Sequence, residues 1–397
     1  MTECFSIDQA TVVLDNELLP GGAVDICDGA IVGIREPGVK SACPNAPRID
    51  ARGATLAPGF IDLHIHGMHE FLVDRGPADL VAMSRILPRY GVTGWLPTLC
   101  PRPKGDDARF LSQLAATQTT GASVLGYHLE GPFLALTGAL PPEALGEADA
   151  GRLQALIEAA GNYPAVFSVA PEFKNIGELI RVMAGTGAPV FMTHTRASVA
   201  ETRAAIDAGA RHATHFYDVF PVPPETDSGV RPCGAVEAIL ADPRVSVDFI
   251  LDGVHVDPAA VQMALQCKGP DRVCLITDAM VGAGLPPGTY RAGGVDVVFS
   301  EPGGPARKAS NAPRPGGLCG SGLTMNRAVR NAVRLAGVSL PLAVRLASSN
   351  PARVLGLESR YGRIAEGRPA DLVLFDENFA VLQTWVSGVS VYRIKEQ

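Results

Sequence analysis

Eight short apolar segments recur through the middle of the chain, and each has the length and composition of a strand buried in a parallel sheet. They cover residues 56–66, 91–99, 123–130, 165–170, 189–195, 212–216, 245–251 and 273–277. Helix-like stretches such as GRLQALIEAA and SVAETRAAIDAG separate many of them. Eight strand–helix units in about 300 residues have the size of a TIM-like (β/α)8 barrel. The pattern therefore predicts an α/β fold with this barrel at 57–358.

Both ends of the chain follow a different pattern from the middle. Residues 1–56 and 359–397 alternate short apolar runs with turn residues, which is typical of short strands joined by tight turns. We therefore predict one small β-sandwich domain that is assembled from both termini. The stretch GGPARKASNAPRPGG (303–317) is rich in Gly and Pro, and it predicts a flexible loop.

Composition argues against several classes of function. The formal net charge is −7, which disfavours nucleic acid as the main partner because phosphate neutralisation needs a basic face. No apolar run approaches the roughly 18 residues of a membrane span, and MTECFSIDQA lacks the features of a signal peptide. The eight cysteines form no CxxC motif, so we expect a cytoplasmic protein with reduced thiols.

Side chains able to bind a metal lie at the ends of several predicted strands. His64 and His66 form an H-x-H pair, and side chains two residues apart project to the same face of a strand. The other potential donors are Glu130, His194, His215 and Asp278. The carboxyl ends of barrel strands meet at one face, where the active sites of barrel enzymes lie. We therefore expect all six side chains to converge on a metal site.

The donor types narrow the choice of metal. Imidazole and carboxylate without thiolate suit divalent Zn, Fe, Mn or Co, and zinc is our first expectation. Six ligands exceed the three protein ligands that one catalytic ion usually takes. Two arrangements stay open: Glu130 bridges two ions, or Glu130, His194 and His215 hold a single ion. We expect Asp278 to move a proton between a water and a leaving group, with a helix N-cap as the alternative.

The remaining histidines divide into three groups. His255 lies in LDGVHVDP after the seventh segment, where we expect it to contact substrate or polarise a carbonyl, with an ordinary loop histidine as the alternative. His128 shares the inward face of its strand with Glu130, so we expect it to support the site or the core. His69 and His212 are expected in loops or at the surface.

Ten motifs, in chain order, resemble those of the N-acetylglucosamine-6-phosphate deacetylases of the amidohydrolase superfamily. They are APGFIDLHIHG (57–67), GYHLEGPFL (126–134), APE (170–172), MTHTRAS (192–198), ATHFYD (213–218), DGVHV (252–256), LITDAM (275–280), GSGLTMNRAVRN (320–331), SNPARVLGL (349–357) and GRIAEGRPADLVLFD (362–376). The first and last are shared across the superfamily, whereas HLEGPF and APE are more specific to the deacetylases. The resemblance implies a metal-dependent barrel with a β-sandwich built from both ends, usually in a homodimer.

The resemblance also implies roles for individual residues. The family's main metal ligands and its first-strand H-x-H, which some members lack, are matched by Glu130, His194, His215, His64 and His66. Asp278 matches the catalytic acid and base. His255 matches a histidine that reaches the substrate, in the family from the neighbouring subunit.

Departures from the family fall on positions that recognise substrate. The loop after HLEGPF usually carries a histidine that orients the amide carbonyl, whereas this chain has Leu140, which donates no hydrogen bond. The family's LFNAM, which holds the sugar phosphate, reads FYDVF (216–220) here. Tyr217 and Asp218 are thus candidate substrate-binding residues, and the charge of Asp218 would repel a phosphate. Arg231 is the counterpart of a family arginine.

Two explanations of these departures stay open. The phosphate is bound in a different way, by Arg231 or by Arg307, Lys308 and Arg314 of the 303–317 stretch. Alternatively, the substrate lacks the phosphate, and Asp218 binds a hydroxyl or an amine.

Three functions remain in view. The first is metal-dependent hydrolysis of the acetamide of an N-acetyl amino sugar, or its phosphate, to an amine and acetate. The second is hydrolysis of a non-phosphorylated N-acyl or cyclic amide. The third is a non-catalytic barrel, which the filled ligand positions argue against. The expected partner is a small amino-sugar-like molecule, with no nucleic acid and no membrane.

Overall fold

The computed structural model describes residues 4–292 and 294–395. The strands in chain order are β1 (Cys4–Val13), β2 (Leu18–Cys27), β3 (Ala30–Arg35), β4 (Arg48–Asp50), β5 (Thr55–Pro58), β6 (Phe60–Ile65), β7 (Gly67–Met68), β8 (Phe71–Leu72), β9 (Val92–Leu99), β10 (Ser123–Val124), β11 (Tyr127–Phe133), β12 (Ala165–Val169), β13 (Val190–Met192), β14 (Ala210–Ala213), β15 (Ser246–Ile250), β16 (Val273–Ile276), β17 (Gly288–Ala292), β18 (Val295–Phe299), β19 (Pro305–Lys308), β20 (Leu318–Ser321), β21 (Leu372–Phe375), β22 (Val381–Val386) and β23 (Val389–Arg393).

The α-helices lie mainly between the strands of the central part of the chain. They are α1 (Pro77–Ile86), α2 (Asp106–Ala115), α3 (Ala150–Ala159), α4 (Ile176–Gly185), α5 (Val199–Ala208), α6 (Ala235–Ala241), α7 (Pro258–Lys268), α8 (Met325–Arg334), α9 (Leu340–Ala347) and α10 (Ser349–Val354). Several begin at a side-chain cap that the sequence provides. Ser198 and Glu201 form a capping box on α5, and Asp257 caps α7.

Eight parallel strands form the barrel, in the spatial order β6-β9-β11-β12-β13-β14-β15-β16. Hydrogen bonds bring its two ends together: Asp278 N donates to the carbonyl of His64 at 2.8 Å, and Thr277 Oγ1 donates to Asp62 Oδ2 at 2.6 Å. Every residue of β6, β9, β11 and β12 is buried, as expected for strands covered on both faces. The predicted TIM-like barrel is confirmed.

The first predicted segment (56–66) divides at Gly59 between two sheets. Residues before it belong to β5, and those after it begin the barrel at β6. A Cβ atom at Gly59 would lie 2.2 Å from Thr93 Cγ2, so the crossing between the sheets requires glycine. The sixth predicted strand (212–216) is also displaced, because β14 covers Ala210–Ala213 and therefore ends before His215.

A second sheet combines both ends of the chain, in the order β23-β22-β21-β5-β1-β2-β3 with β4 paired to β1. Its apolar side chains form a hydrophobic core separate from that of the barrel, which includes Ile7, Val24, Leu56 and Trp385. The strand-rich domain built from both termini is thus present. We propose 1–56 with 359–397, and 57–358, as the domain limits; residues 1–3 and 396–397 lie outside the described residues.

Three expectations from the sequence are wrong. The stretch 303–317 contains β19, which pairs with β18 and β20 in a four-stranded antiparallel sheet, so its turn residues conceal a strand. Cys4 and Cys27 form a disulfide, because the register of β1 and β2 places them opposite each other. His212 is fully buried, where its Nε2 lies 2.8 Å from Asp248 Oδ2.

Within the described ranges, we find no helix with the length and apolar content that crossing a membrane requires.

Candidate metal centre

The six predicted donors come together at the carboxyl ends of the barrel strands, and all six are buried. His64 and His66 lie at the end of β6 and Glu130 lies in β11. His194, His215 and Asp278 follow the ends of β13, β14 and β16, with φ angles of 49°, 34° and 44°. Left-handed backbone is uncommon for residues other than glycine and clusters at functional sites. At these three positions it accompanies side chains that meet inside the barrel mouth.

Glu130 is the centre of this group. Its Oε1 lies 3.1 Å from His194 Nε2 and 2.9 Å from His215 Nε2. Its Oε2 lies 3.1 Å from His66 Nε2 and 3.6 Å from His64 Nε2. Each carboxylate oxygen therefore faces its own pair of imidazoles. The donor atoms form two sets, each of which lies within 4.8 Å and shares Glu130.

Asp278 lies on the side of the H-x-H pair. Its Oδ1 is 3.5 Å from His64 Nε2 and 3.4 Å from His66 Nε2. The carboxylate is thus close enough to exchange protons with a small molecule held between the two sets of donors. Nothing in this position resembles a helix N-cap, because Asp278 precedes the short sheet β17–β20 rather than a helix.

In three of the histidines, the Nδ1 atom has a hydrogen-bond partner of its own, and this partner affects which ring nitrogen offers a lone pair toward Glu130. His194 Nδ1 lies 2.9 Å from the carbonyl of Leu136, which accepts only a donor. His64 Nδ1 lies 3.1 Å from Thr214 Oγ1, and His215 Nδ1 lies 3.3 Å from Thr193 Oγ1. The carbonyl makes His194 Nδ1 a donor, and a threonine hydroxyl is able to accept from His64 and His215 in the same way. A donor bond at Nδ1 leaves the Nε2 lone pair free for a metal, as in histidine–metal sites generally.

Two imidazole nitrogens meet directly in this centre. His64 Nε2 and His66 Nε2 lie 3.2 Å apart, and two bare lone pairs at this distance repel each other. A cation or a proton must therefore lie on at least one of them. The imidazole and carboxylate donors, the distances between them and the hydrogen-bonded Nδ1 atoms all fit a divalent ion. No thiolate belongs to either set of donors that shares Glu130.

The electrostatics also favour bound positive charge. Burial raises the pKa of Glu130, but the charge of His64 and hydrogen bonds from His194 and His215 hold this pKa well below its usual value. Burial lowers the pKa values of His66 and His215, yet the hydrogen bond and charge of Glu130 raise them to about 9 and about 10. With no metal bound, these two imidazoles would therefore carry a proton at neutral pH, so the site favours positive charge.

Comparison with known proteins agrees with this geometry. The sequence pattern described as Amidohydrolase family matches residues 55–391. The chain belongs to the amidohydrolase family. It is a metal-dependent hydrolase of amide carbon–nitrogen bonds, as the family and its deacetylase members show.

Relatives of this amidohydrolase match it over nearly the whole chain. The N-acetylgalactosamine-6-phosphate deacetylase of Escherichia coli O157:H7 is 36% identical over 91% of this chain and 93% of the relative. The N-acetylglucosamine-6-phosphate deacetylase of Bacillus subtilis is 31% identical over 100% of this chain and 99% of its own. A Mycobacterium smegmatis deacetylase, solved with N-acetyl-D-glucosamine-6-phosphate, superposes with a TM-score of 0.85, 32% identity and coverage of 98% and 99%.

His255 of the amidohydrolase lies in a buried position after β15. Its Nδ1 is 2.7 Å from Asp252 Oδ2, and its Nε2 is buried with no hydrogen-bond partner in residues 4–292 and 294–395. Burial lowers the pKa of His255, but Asp252 raises it above its usual value, with smaller contributions from Asp218 and Asp278 of the same chain. The structure thus leaves Nε2 of a buried imidazole unpaired within these ranges, and the carboxylates that raise the pKa of this imidazole include Asp278 of the metal centre.

Two of the other predicted substrate-binding residues line a separate cavity. This cavity has a volume of about 470 Å³, and Tyr217 and Arg231 line it. The Tyr217 hydroxyl is buried and has no partner in the described part of the chain. Asp218 acts on the metal centre through its charge, which raises the pKa of His215. The Arg231 side chain is 87% exposed and lies 3.5 Å from Glu237, so the structure does not bring it to the metal centre.

Sequence reasoning missed two residues behind the H-x-H pair. Cys100 Sγ lies 3.7 Å from His66 Nδ1, and Asp74 lies in the same cluster of potential ligands. Asp74 Oδ2 also accepts a hydrogen bond from Cys100 N at 3.3 Å. Cys100 had a detectable signal, because it directly follows the second barrel strand. Asp74 had none, since it lies in a short 3₁₀ turn rather than at the end of a barrel strand.

Proposed function

We propose that this amidohydrolase removes the acetyl group from an N-acetylhexosamine 6-phosphate, which yields the free amine and acetate. The observation that carries the proposal is the placement of Glu130 between two pairs of histidines, with Asp278 beside one pair. The relatives that match nearly the whole chain support this substrate class, because both named curated relatives are deacetylases of amino-sugar 6-phosphates.

We assign metal binding to the six donors at the barrel mouth. Glu130, His194 and His215 would hold the principal ion. His64 and His66, which share Glu130 and have Asp278 beside them, would hold a second ion or face the substrate. Both arrangements agree with the geometry, and zinc best suits the donors, with iron, manganese or cobalt as further candidates. A bound ion supplies Lewis acidity, which polarises the amide carbonyl and lowers the pKa of a water.

The chain's own residues carry the proton and orient the substrate. Asp278 takes a proton from the attacking water and delivers it to the nitrogen of the leaving amine. A single carboxylate serves both steps, because the proton that it gains in the first is the one that it gives up in the second. His255 presents its unpaired Nε2 to the substrate, and Tyr217 presents its hydroxyl from the separate cavity that it lines.

A second candidate function is hydrolysis of a non-phosphorylated N-acyl or cyclic amide. The negative charge of Asp218 beside His215 favours it, since a phosphate placed there would be repelled. Leu140 favours an altered substrate too, because the family resemblance implies a histidine here that orients the acetamide carbonyl, and leucine donates no hydrogen bond.

We further propose that the enzyme is a homodimer. Val222 is 80% exposed, and Val222 and the half-exposed Met263 line the cavity that Arg231 borders. Apolar side chains exposed together are typical of association surfaces. A measurement of molar mass by light scattering tests this proposal, and a monomer at micromolar concentration contradicts it.

Amino-sugar metabolism in the cytoplasm is the setting that we propose. Six of the cysteines are free, which suits a reducing compartment, and the Cys4–Cys27 disulfide is the exception.

The deciding experiment is an acetate-release assay on a matched panel. It compares N-acetylglucosamine 6-phosphate, N-acetylgalactosamine 6-phosphate, their unphosphorylated forms and a cyclic amide, with metal content measured in the same preparation. We expect the phosphorylated N-acetyl sugars to give the highest kcat/KM. A preference for the cyclic amide or for unphosphorylated sugars favours the second function.

A further inference from the structure

Three sulfur atoms meet in the strand-rich domain. Cys4 and Cys27 form a disulfide between β1 and β2, and Cys43 Sγ lies 3.0 Å from Cys27 Sγ. All three sulfur atoms lie within 4.8 Å of one another. Of the clusters of three potential ligand side chains in residues 4–292 and 294–395, this is the one that includes no histidine or carboxylate of the metal centre. A free thiol thus contacts a disulfide at a place that the proposed function does not use.

The segment before Cys43 is fixed to the strand of Cys27. We call residues 36–47 the cysteine loop. Ala42 N donates a hydrogen bond to Asp25 Oδ2 at 3.0 Å, and Asp25 precedes Cys27 by two residues in β2. The backbone directly before Cys43 is therefore attached beside the disulfide.

The segment after Cys43 is fixed to the strand of Cys4. Ser6 N donates to Pro47 O at 2.9 Å, and Ser6 follows Cys4 by two residues in β1. Directly after the cysteine loop, β4 pairs with β1 in a parallel register. The loop is thus attached to β2 on one side of Cys43 and to β1 on the other. The contact between Cys43 and Cys27 therefore follows from how these strands pair.

Access to solvent distinguishes this cluster from a buried thiol of the barrel. Cys4, Cys27 and Cys43 are all half-buried. Burial raises the pKa of the Cys274 thiol well above its usual value, so Cys274 stays protonated near neutral pH. The thiolate is the form of cysteine that attacks a disulfide. Cys43 combines an accessible sulfur with direct contact to a disulfide.

We infer that Cys43 and the Cys4–Cys27 disulfide form a thiol–disulfide exchange site. The Cys43 thiolate attacks Cys27 Sγ, so that the Cys27–Cys43 bond forms and the Cys4–Cys27 bond breaks. Cys4 leaves as a thiolate, and it takes up a proton from water in place of the one that Cys43 gave up. One disulfide and one thiol are present before and after the step, so no external oxidant or reductant is needed.

The exchange changes which parts of the domain are linked. The free thiol moves from the cysteine loop to the first strand, and the covalent link of β2 moves from β1 to the cysteine loop. A soft metal ion is the alternative occupant of three clustered cysteines, but it would need all three as thiolates. The disulfide favours exchange, because it already joins two of these sulfur atoms.

The first test follows the free thiol in wild-type protein purified without reductant. The protein is kept dilute at pH 8, exchange is stopped with acid, and free thiols are alkylated and located by peptide mass spectrometry. We expect alkylated Cys4 as well as alkylated Cys43 in the wild type. In Cys43→Ser, alkylation of Cys4 should fall at least tenfold. Cys233→Ser, which removes an exposed free cysteine, is the matched control and should keep the wild-type pattern.

The second test removes the leaving group. In Cys4→Ser, kept in oxidised glutathione, we expect the disulfide-linked peptide to shift from Cys4–Cys27 to Cys27–Cys43. Melting temperatures report on the folding of both variants, and Cys43→Ser keeps the disulfide if Cys4→Ser does not fold.

Three results would overturn the inference. The first is alkylation of Cys4 in the wild type that is no higher than in Cys43→Ser. The second is a folded Cys4→Ser variant in which Cys27 and Cys43 both remain thiols. The third is a wild type in which all three cysteines are alkylated, and zinc lost from such protein on Cys43→Ser substitution would assign the three sulfur atoms to a metal site. The inference does not depend on the proposed function, since none of these measurements uses acetate release.

Discussion

Glu130 in the barrel and Asp25 in the strand-rich domain are both buried carboxylates with depressed pKa values, but their partners differ. Four imidazoles surround Glu130 within 3.6 Å. Asp25 accepts hydrogen bonds from Arg35 Nε at 3.0 Å, Ser6 Oγ at 2.5 Å and Ala42 N at 3.0 Å. Burial and low pKa alone therefore do not distinguish a functional carboxylate from a structural one.

The chemistry of the partner makes the distinction. A guanidinium stays protonated at any ordinary pH, so the pair of Asp25 and Arg35 is complete without a ligand. An imidazole exchanges its proton for a metal ion near neutral pH, so Glu130 and its histidines can accept one. Removing Glu130 should therefore abolish activity, whereas removing Asp25 should weaken the fold.

The largest effect is expected from Glu130→Gln or from removal of the metal with a chelator. Both remove the polarisation of the amide and the activation of water, so kcat should fall on the order of 10⁴-fold. The measurement combines acetate release with metal analysis by mass spectrometry, and zinc should restore the chelated wild type but not the variant. Full activity in protein stripped of metal would refute the assignment of the centre.

Asp278→Asn should have the next largest effect. The amide cannot carry the proton, so kcat should fall roughly 10²- to 10⁴-fold, the range for losing a general acid–base group. Because the other five donors remain, the metal content should stay at more than half of the wild-type value. A variant that retains wild-type kcat would assign the proton transfer to another group. A variant that loses all metal would show that Asp278 is primarily a ligand.

Asp25→Asn tests the structural side of the comparison. Arg35 loses one of its carboxylate partners and keeps Asp8 at 2.7 Å, so we expect a loss of about 2–3 kcal/mol in the free energy of unfolding. Burial raises the pKa of Asp25, but hydrogen bonds from Arg35 and Ser6 lower it below 3.8 overall. This contribution is therefore present above about pH 4 and is lost as the pH falls through the lowered pKa.

Urea unfolding at pH 7 and at pH 3 checks the Asp25→Asn prediction. The difference between wild type and variant should be larger at pH 7. The kcat of the folded variant, measured below its melting temperature, should remain within twofold of wild type. An equally large difference at both values of pH would contradict an ionised Asp25 as the source of the stability.

The metal centre could be predicted from the sequence, because each of its donors is marked by the residues directly before it. Each of its six donors lies at or directly after an apolar run, and the carboxyl ends of barrel strands meet at one face. The pair of Asp25 and Arg35 was not accessible, because it depends on the register of β2 against β3. The Cys4–Cys27 disulfide depends in the same way on the register of β1 and β2. Sequence patterns predict strands, but they do not fix which residues of two strands lie opposite each other.

The position of Lys308 could not be predicted from the sequence for a related reason. The Gly and Pro residues of 303–317 are typical of a loop, and they conceal a strand of four residues. Pairing of β19 with β18 and β20 orders this strand, and a single-segment pattern carries no information about those partners. The candidate lysine was visible in the sequence, but its contact with Ala139 required the structure.

The smallest effect is expected from His255→Asn. His255 is paired like Asp25, since its Nδ1 lies 2.7 Å from Asp252, but its Nε2 stays unpaired like the donors around Glu130. Loss of this donor should raise KM about tenfold and leave kcat within threefold. Because Asp252 raises the pKa of His255 above its usual value, wild-type KM should be low while the imidazole is protonated and should rise as the pH passes through this raised pKa. The KM of His255→Asn should lack this rise, and His69→Asn, the control at a half-buried histidine bonded to Tyr90, should behave as wild type. Parallel pH profiles for the wild type and His255→Asn would place His255 with Asp25 among the structural pairs.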